Sequence, residues 1–182
     1  MVTPALSPDE LLRRARRLRL VLTDCDGVLT DGSVYYGEGG EALRRFNVRD
    51  GMGVERLREA GVHTAICTRE PSVTIAQRSE KLRLPWLFLG VRDKAAHLEV
   101  ILRETGLPLQ DLAYIGDDVN DLGILAVVGV EGLTGCPADA MPDVHPVCHY
   151  VCSARGGAGA FRDFAEWLLA LRRGETASRS GR

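Results

Sequence analysis

Asp24 and Asp26 stand two residues apart behind the apolar run Leu20-Val21-Leu22, with Gly27 following them. A short apolar run bounded by charge reads as a buried strand. Residues two apart on a strand share a face. A bend beyond the strand end then lets both carboxylates approach one point from different directions. Two acids that close repel unless a proton or a metal cation lies between them. The plain alternative is a polar strand end with an Asp-Gly turn. Three later stretches weigh against it. Thr68 closes a second apolar run, Asp93 and Lys94 follow a third, and Gly116-Asp117-Asp118 closes a fourth, with Asp121 one helical turn further on. In open parallel α/β sheets, ligands bind beyond the carboxyl ends of the strands. Acid, acid, hydroxyl, lysine and acid at successive strand ends therefore describe a site.

The charges in this set do not balance. Asp24, Asp26, Asp117, Asp118 and Asp121 face one Lys94. Bare carboxylates so gathered shift their pKa values or separate, and a divalent cation resolves the conflict. The donors are oxygens, with no His or Cys at the strand ends, which favours Mg²⁺ over Zn²⁺. Asp24 can then attack phosphorus to form an aspartyl-phosphate. Asp26 can protonate the leaving oxygen and later deprotonate the water that clears the intermediate. Thr68 and Lys94 can hold the phosphoryl oxygens. Asp117 can anchor the metal, and Asp118 or Asp121 can orient its surroundings or Lys94.

The elements that must position these residues alternate between strand and helix. Ser7-Pro8-Asp9-Glu10 reads as a capped helix start, with Glu10 completing a capping box. Residues 33–36 and 42–48 flank Gly37-Glu38-Gly39-Gly40 and read as a β-hairpin, an insertion over 28–48 placed directly behind the paired aspartates. A lone hairpin is marginal in water, so it is expected to pack on something, another subunit being a candidate. Asp50 is expected to cap a helix that Gly61 ends. Then follow strand 62–67, helix 71–82, strand 86–89, a helix capped by Asp93 and stopped by Gly106, strand 112–115, helix 119–127, and short strands at 128–133 and 150–152. Phe161, Phe164, Ala165, Leu168 and Leu169 mark a last amphipathic helix. The pattern predicts an α/β fold: a doubly wound parallel sheet with right-handed crossovers and helices on both faces, in one domain over 1–172 without a cap domain. Residues 173–182 form a polar tail.

With 182 residues, 45% apolar, and a net charge of −2, the chain has the composition of a soluble globular protein. That balance gives no support for a general nucleic-acid or membrane surface. No apolar run is long enough to span a bilayer. The basic stretch Arg13, Arg14, Arg16, Arg17 and Arg19 is followed by no signal-peptide core. Five scattered cysteines read as free thiols in a reducing cytoplasm. His145, Cys148, His149 and Cys152 lack a CxxC pair and are interrupted by Pro146, which weighs against zinc. Cys25 should point away from its two neighbours, and Gly156-Gly157-Ala158-Gly159 fits either a phosphate cradle or a tight turn.

Asp24-Cys25-Asp26-Gly27-Val28, Thr68, Lys94 and Gly116-Asp117-Asp118-Val119-Asn120-Asp121 together resemble the four motifs of the haloacid dehalogenase superfamily of phosphohydrolases. The resemblance implies that Mg²⁺ is bound by the Asp24 carboxylate, the Asp26 backbone carbonyl and Asp117. FNVRDGMG (46–53), YIGDDVND (114–121) and RGGAGAFRDF (155–164) look like its capless phosphatases acting on 3-deoxy-2-ulosonate sugar phosphates. That family implies a homotetramer assembled through the hairpins, with Arg155 or the tail reaching a neighbouring site. Glu70, Arg78 and Lys81 are similar to residues by which the nine-carbon 2-keto-3-deoxynononate 9-phosphate enzymes meet their sugar. The chain is therefore expected to favour a nine-carbon substrate, with 3-deoxy-D-manno-octulosonate 8-phosphate as the alternative. Arg69 departs from the family pattern, where a small residue is commoner. Two readings from other classes compete: a receiver-like phospho-acceptor domain, whose acceptor Asp belongs at a later strand, and a non-catalytic tetramerisation module.

Overall fold

The computed structural model describes residues 5–175. In chain order they form α1 (Pro8–Arg17), β1 (Leu20–Thr23), β2 (Thr30–Gly37), β3 (Gly40–Phe46), α2 (Val48–Glu59), β4 (His63–Cys67), α3 (Val73–Lys81), β5 (Trp86–Phe88), α4 (Leu98–Thr105), β6 (Leu112–Ile115), α5 (Leu122–Glu131), β7 (Leu133–Cys136), β8 (Tyr150–Val151) and α6 (Ala160–Arg172). Every residue of β1, β6 and β7 is buried. Such runs suit interior strands covered on both faces. The sheet order is β5-β4-β1-β6-β7-β8, and every adjacent pair is parallel. β2 and β3 form a separate antiparallel hairpin.

Side chains alternate across the sheet and build two cores. Val21, Ile66 and Ala113 pack with Leu57 of α2, Ile75 of α3, and Phe161, Phe164 and Leu168 of α6. Leu20, Leu22 and Tyr114 pack on the other face with Ile101 of α4 and with Ile124 and Val128 of α5. Each fully buried aliphatic or aromatic side chain contributes about 1.5–3 kcal/mol.

Helix ends are tied by residues distant in sequence. Ser7 Oγ accepts the Glu10 N–H at 3.3 Å, but the Glu10 carboxylate pairs with Arg13 and Arg14, so the expected reciprocal box is not made. Arg14 donates to the carbonyls of Gly129, Gly132 and Val130 at 3.0, 2.8 and 2.8 Å, where α5 ends. Asn47, rather than Asp50, caps α2. Asp50 lies inside α2, buried, and its Oδ1 accepts the Arg162 N–H at 3.0 Å. It thus caps α6, whose own cap residue Gly159 (φ 111°) has no side chain to offer. Burial pushes the Asp50 carboxyl up to about 6, against the pull of the α6 amides.

Other boundaries shift for local reasons. Asp93 accepts the Ala96 N–H at 2.9 Å, yet the regular helix starts only at Leu98. Residues Val119–Asp121 form a 3₁₀ turn, and α5 continues to Glu131. The strand expected over 128–133 is therefore helical for most of its length, and the sheet resumes at Leu133. Gly132 makes that tight junction, since a Cβ there would lie 2.2 Å from the Leu112 carbonyl oxygen. Residues 176–182 of the expected tail lie outside the described residues.

His149 beside β8 accepts the Thr134 N–H through Nδ1 at 3.1 Å. Burial, then the Arg14 charge, lowers its pKa to about 4 from an ordinary 6.5. Between those values the unfolded chain binds the extra proton, so stability is retained above 6.5 and lost as pH falls towards 4. The thermal midpoint is expected to fall on acidification through that window. His149→Asn is expected to flatten the fall, as followed by circular dichroism.

Candidate active site

Four parallel strand ends converge on one pocket. β1 delivers Asp24, whose Oδ1 accepts the Cys25 N–H at 2.7 Å and pairs with Lys94 Nζ at 2.9 Å, while Oδ2 takes no bond from the protein. Lys94 follows β5 and is almost wholly buried. Its Nζ also meets Asp121 Oδ1 at 2.6 Å. The Tyr114 hydroxyl donates to that same oxygen at 2.6 Å. Asp121 Oδ2 accepts the amides of Asp117 and Asp118 at 2.9 and 3.3 Å. Both oxygens of Asp121 are thereby committed, which makes it a brace for Lys94 and for the loop after β6. The Asp118 carboxylate accepts the Val119 N–H at 2.6 Å. A Cβ on Gly116 would lie 2.4 Å from the Asp121 carboxyl carbon, so glycine is required there.

One carboxylate oxygen from each of Asp24, Asp117 and Asp121 lies within 4.8 Å of the others. Burial, then the Asp121 charge, pushes the Asp24 carboxyl up to about 7. Burial, then Asp24, Asp121 and Asp118, pushes Asp117 up to about 8. Burial opposes charge on Lys94, but Asp24 and Asp121 hold its ammonium above the usual lysine range. One lysine does not neutralise this cluster. Asp117 Oδ1 is buried without a hydrogen-bond donor. A Cβ at Gly27 (φ 87°) would fall 1.9 Å from Asp117 Oδ2. An orphaned hard oxygen beside Asp24 in an all-oxygen setting fits a divalent cation such as Mg²⁺. The residues free to hold it are Asp24 and Asp117.

Asp26 stands beside this cluster. Its Oδ1 accepts the Thr30 hydroxyl at 3.1 Å, and its Oδ2 is ion-paired with Arg44. Asp24, Asp26 and Thr68 line a cavity of about 310 Å³ together with Glu70, Asp117 and Asp118. Thr68 is buried, and its Oγ1 accepts the Glu70 N–H at 3.3 Å. Cys25 is turned into the core below, as alternation requires. Arg44 and Asn120 also line the cavity and escape the reading of strand ends. Nothing in the sequence separates Arg44 from its neighbour Arg45, yet the Arg44 side chain is turned inward while Arg45 is exposed.

Other expected positions fall elsewhere. Arg78 Nη2 donates to the Asn47 carbonyl at 3.1 Å, and its guanidinium lies over the Phe46 ring at 5.4 Å. These contacts hold the start of α2. Lys81 is exposed at the end of α3 and is not among the residues that line the cavity. Arg155 is exposed and pairs with Asp139 at 3.1 Å. Gly156 and Gly157 pack against the loop after β1, which fits the tight-turn reading of this stretch. A Cβ on Gly156 would lie 1.9 Å from the Gly27 carbonyl oxygen, and the Gly157 N–H donates to Val28 O at 3.0 Å. His145 bonds the Ala140 carbonyl and Cys152 the Ala160 carbonyl. Among the described residues, the acidic trio is the one His/Cys/Asp/Glu group close enough to hold an ion.

Known proteins match this architecture over most of its length. The 3-deoxy-D-manno-octulosonate 8-phosphate phosphatase KdsC of Yersinia pestis is 37% identical over 161 residues, spanning 88% of this chain and 84% of that protein. The Haemophilus influenzae KdsC is 34% identical over 157 residues, 86% of each. The Yersinia pestis crystal structure superposes with a TM-score of 0.84 at 35% identity, over 92% of this chain and 89% of that one. A cobalt-bound Haemophilus influenzae structure gives 0.83 at 32% identity, over 92% and 96%. The Moraxella catarrhalis enzyme, in complex with magnesium, phosphate and KDO, gives 0.84 at 29% identity, over 92% and 94%. No family model matches the chain. These relatives are named for the eight-carbon sugar phosphate, which backs that alternative better than the nine-carbon substrate expected from Glu70, Arg78 and Lys81. Sequence and three-dimensional likeness, with the acids and lysine gathered at the strand ends, place the chain among the KdsC-like phosphatases of the haloacid dehalogenase superfamily, the family to which it belongs.

Proposed function

We propose that this protein is a Mg²⁺-dependent phosphatase that hydrolyses 3-deoxy-D-manno-octulosonate 8-phosphate. The observation that carries the reaction class is Asp24 itself. Its Oδ1 is fixed by Lys94 and the Cys25 amide, and its Oδ2 is left free beside the unpartnered oxygen of Asp117. The eight-carbon substrate rests on the relatives' named activity.

Asp24 Oδ2 attacks phosphorus, and the bond from phosphorus to the sugar oxygen breaks. The departing oxygen keeps that electron pair and takes a proton from Asp26. Asp26 then removes a proton from a water that attacks the phosphoaspartate, and the Asp24 carboxylate and inorganic phosphate are released. Thr68 and Lys94 hold the phosphoryl oxygens as charge develops. Asp121 and Tyr114 keep Lys94 in place. Asp24, Asp117 and the Asp26 backbone carbonyl would hold Mg²⁺, which when bound would supply positive charge near the phosphoryl group.

Glu70 borders the cavity and is assigned to the sugar hydroxyls. Lys81 and Arg155 are exposed, and both are assigned to the substrate of a neighbouring protomer. The hairpin presents Tyr35, Tyr36 and Leu43 at 54, 77 and 64% exposure, an apolar surface that a second copy can cover. This supports assembly through the hairpins into a homotetramer. Among the described residues no helix is long and apolar enough to cross a membrane, and the five free cysteines suit a reducing cytoplasm.

Purified protein with Mg²⁺ is expected to release phosphate from the octulosonate 8-phosphate faster than from the nononate 9-phosphate. Asp24→Asn should lower turnover by about 10³-fold or more while leaving the circular dichroism spectrum unchanged. Activity retained in that variant would remove Asp24 as nucleophile. Protons and metal compete for the acidic cluster, so Mg²⁺ affinity should rise as pH passes the values of about 7 and 8 towards which Asp24 and Asp117 are pushed. Titration calorimetry in buffers of different ionisation enthalpy should record proton release on binding.

A further inference from the structure

A proton donor at Asp26 needs its carboxyl aimed at the departing oxygen. Asp26 Oδ2 is sealed from solvent and, among the described residues, has the Arg44 guanidinium as its partner. Arg44 comes from β3, in the hairpin, where it stands opposite Val34. Its side chain is 1% exposed, unlike an ordinary hairpin arginine. Nε and Nη2 form a fork to the Glu41 carboxylate at 2.9 Å each, and Nη2 comes within 3.8 Å of Glu70. Glu41 is itself anchored. It accepts the Ser72 hydroxyl and, at 2.7 Å, the Thr74 hydroxyl, where α3 begins just beyond Thr68. One guanidinium therefore spans the catalytic loop, the hairpin and the segment behind Thr68. A planar fork fixed at two nitrogens leaves the third little freedom, and that third nitrogen faces Asp26.

We infer that Arg44 is a positioning residue for Asp26, held by Glu41, and that the hairpin is thereby part of the catalytic apparatus and not only an assembly surface. The inference rests on the proton-donor reading of Asp26. With Arg44 gone, the buried Oδ2 of Asp26 has no partner, and the carboxyl is free to turn away from the departing oxygen. A misplacement of about 1 Å can cost about 10²-fold in rate.

A leaving-group series separates this role from a structural one. kcat/KM is measured for substituted phenyl phosphates from nitrophenyl to phenyl, with the wild type, Asp26→Asn and Arg44→Met. Proton donation matters most for the poorest leaving group, so its loss steepens the dependence of rate on leaving-group pKa. The slope does not depend on the fraction of protein that is folded, and Arg44→Gln serves if the apolar variant does not accumulate. Asp26→Asn is expected to steepen the slope. Arg44→Met is expected to steepen it too, losing about tenfold more on phenyl than on nitrophenyl phosphate. A uniform loss across the series with the wild-type slope would mean that Arg44 supports structure or binds substrate, and would overturn the inference. If Asp26→Asn keeps the wild-type slope, the proton-donor reading itself falls and this inference falls with it.

Discussion

Carboxylates crowd together here at a density that water would not permit. Asp24, Asp117 and Asp121 are packed among apolar strands, and Lys94 is the one cation inside their cluster. Coulomb repulsion in such a place opposes folding, and the surrounding backbone overcomes it. Cys25, Asp117 and Asp118 turn their amides towards the carboxylates, and Tyr114 adds a hydroxyl. These donors stabilise the charge already present without removing the surplus. The surplus gives the site its affinity for a hard cation and, through the cation, for phosphate. Stability and function are thus opposed at one point.

The remainder of the molecule confines that opposition. Two layers of helix cover the sheet, so the strand ends meet solvent at one rim. The loop carrying Asp24 and Asp26 is gripped from both sides. Below it, Gly156 and Gly157 press against the backbone at Gly27, Val28 and Thr30, closer than any side chain would allow. Above it stands Arg44. Asn47 ties the two sides by donating to the Gly157 carbonyl at 3.3 Å. The α6 helix behind Gly159 is fixed in turn by the buried Asp50 of α2.

Much of this was legible in the residues, for a physical reason. Parallel strands buried on both faces leave strong apolar runs, and polar groups can only gather at their ends. Position alone therefore puts Asp24, Thr68, Lys94 and Asp117 at strand ends, where the sheet brings them together. It does not reveal Arg44, because a strand in a hairpin with one wet face gives no sign of which arginine turns inward. Asp50 was read as a cap for its own helix, the local rule, whereas it caps a helix more than a hundred residues away. Arg78 and Lys81 share a helix face in sequence, and nothing in that spacing shows that Arg78 meets the Asn47 carbonyl and the Phe46 ring. Local patterns report which groups can meet water. They do not report which distant backbone will claim them.

The contact between Gly156-Gly157 and the loop after β1 joins segments more than a hundred residues apart in sequence. Ribosomes deliver about 5–20 residues per second from the amino end. The loop carrying Asp24 therefore leaves the tunnel seconds before the glycines that brace it. Until they follow, the nascent chain holds its crowded carboxylates on an unsupported loop, and the rim they share is complete only after Gly157 has emerged.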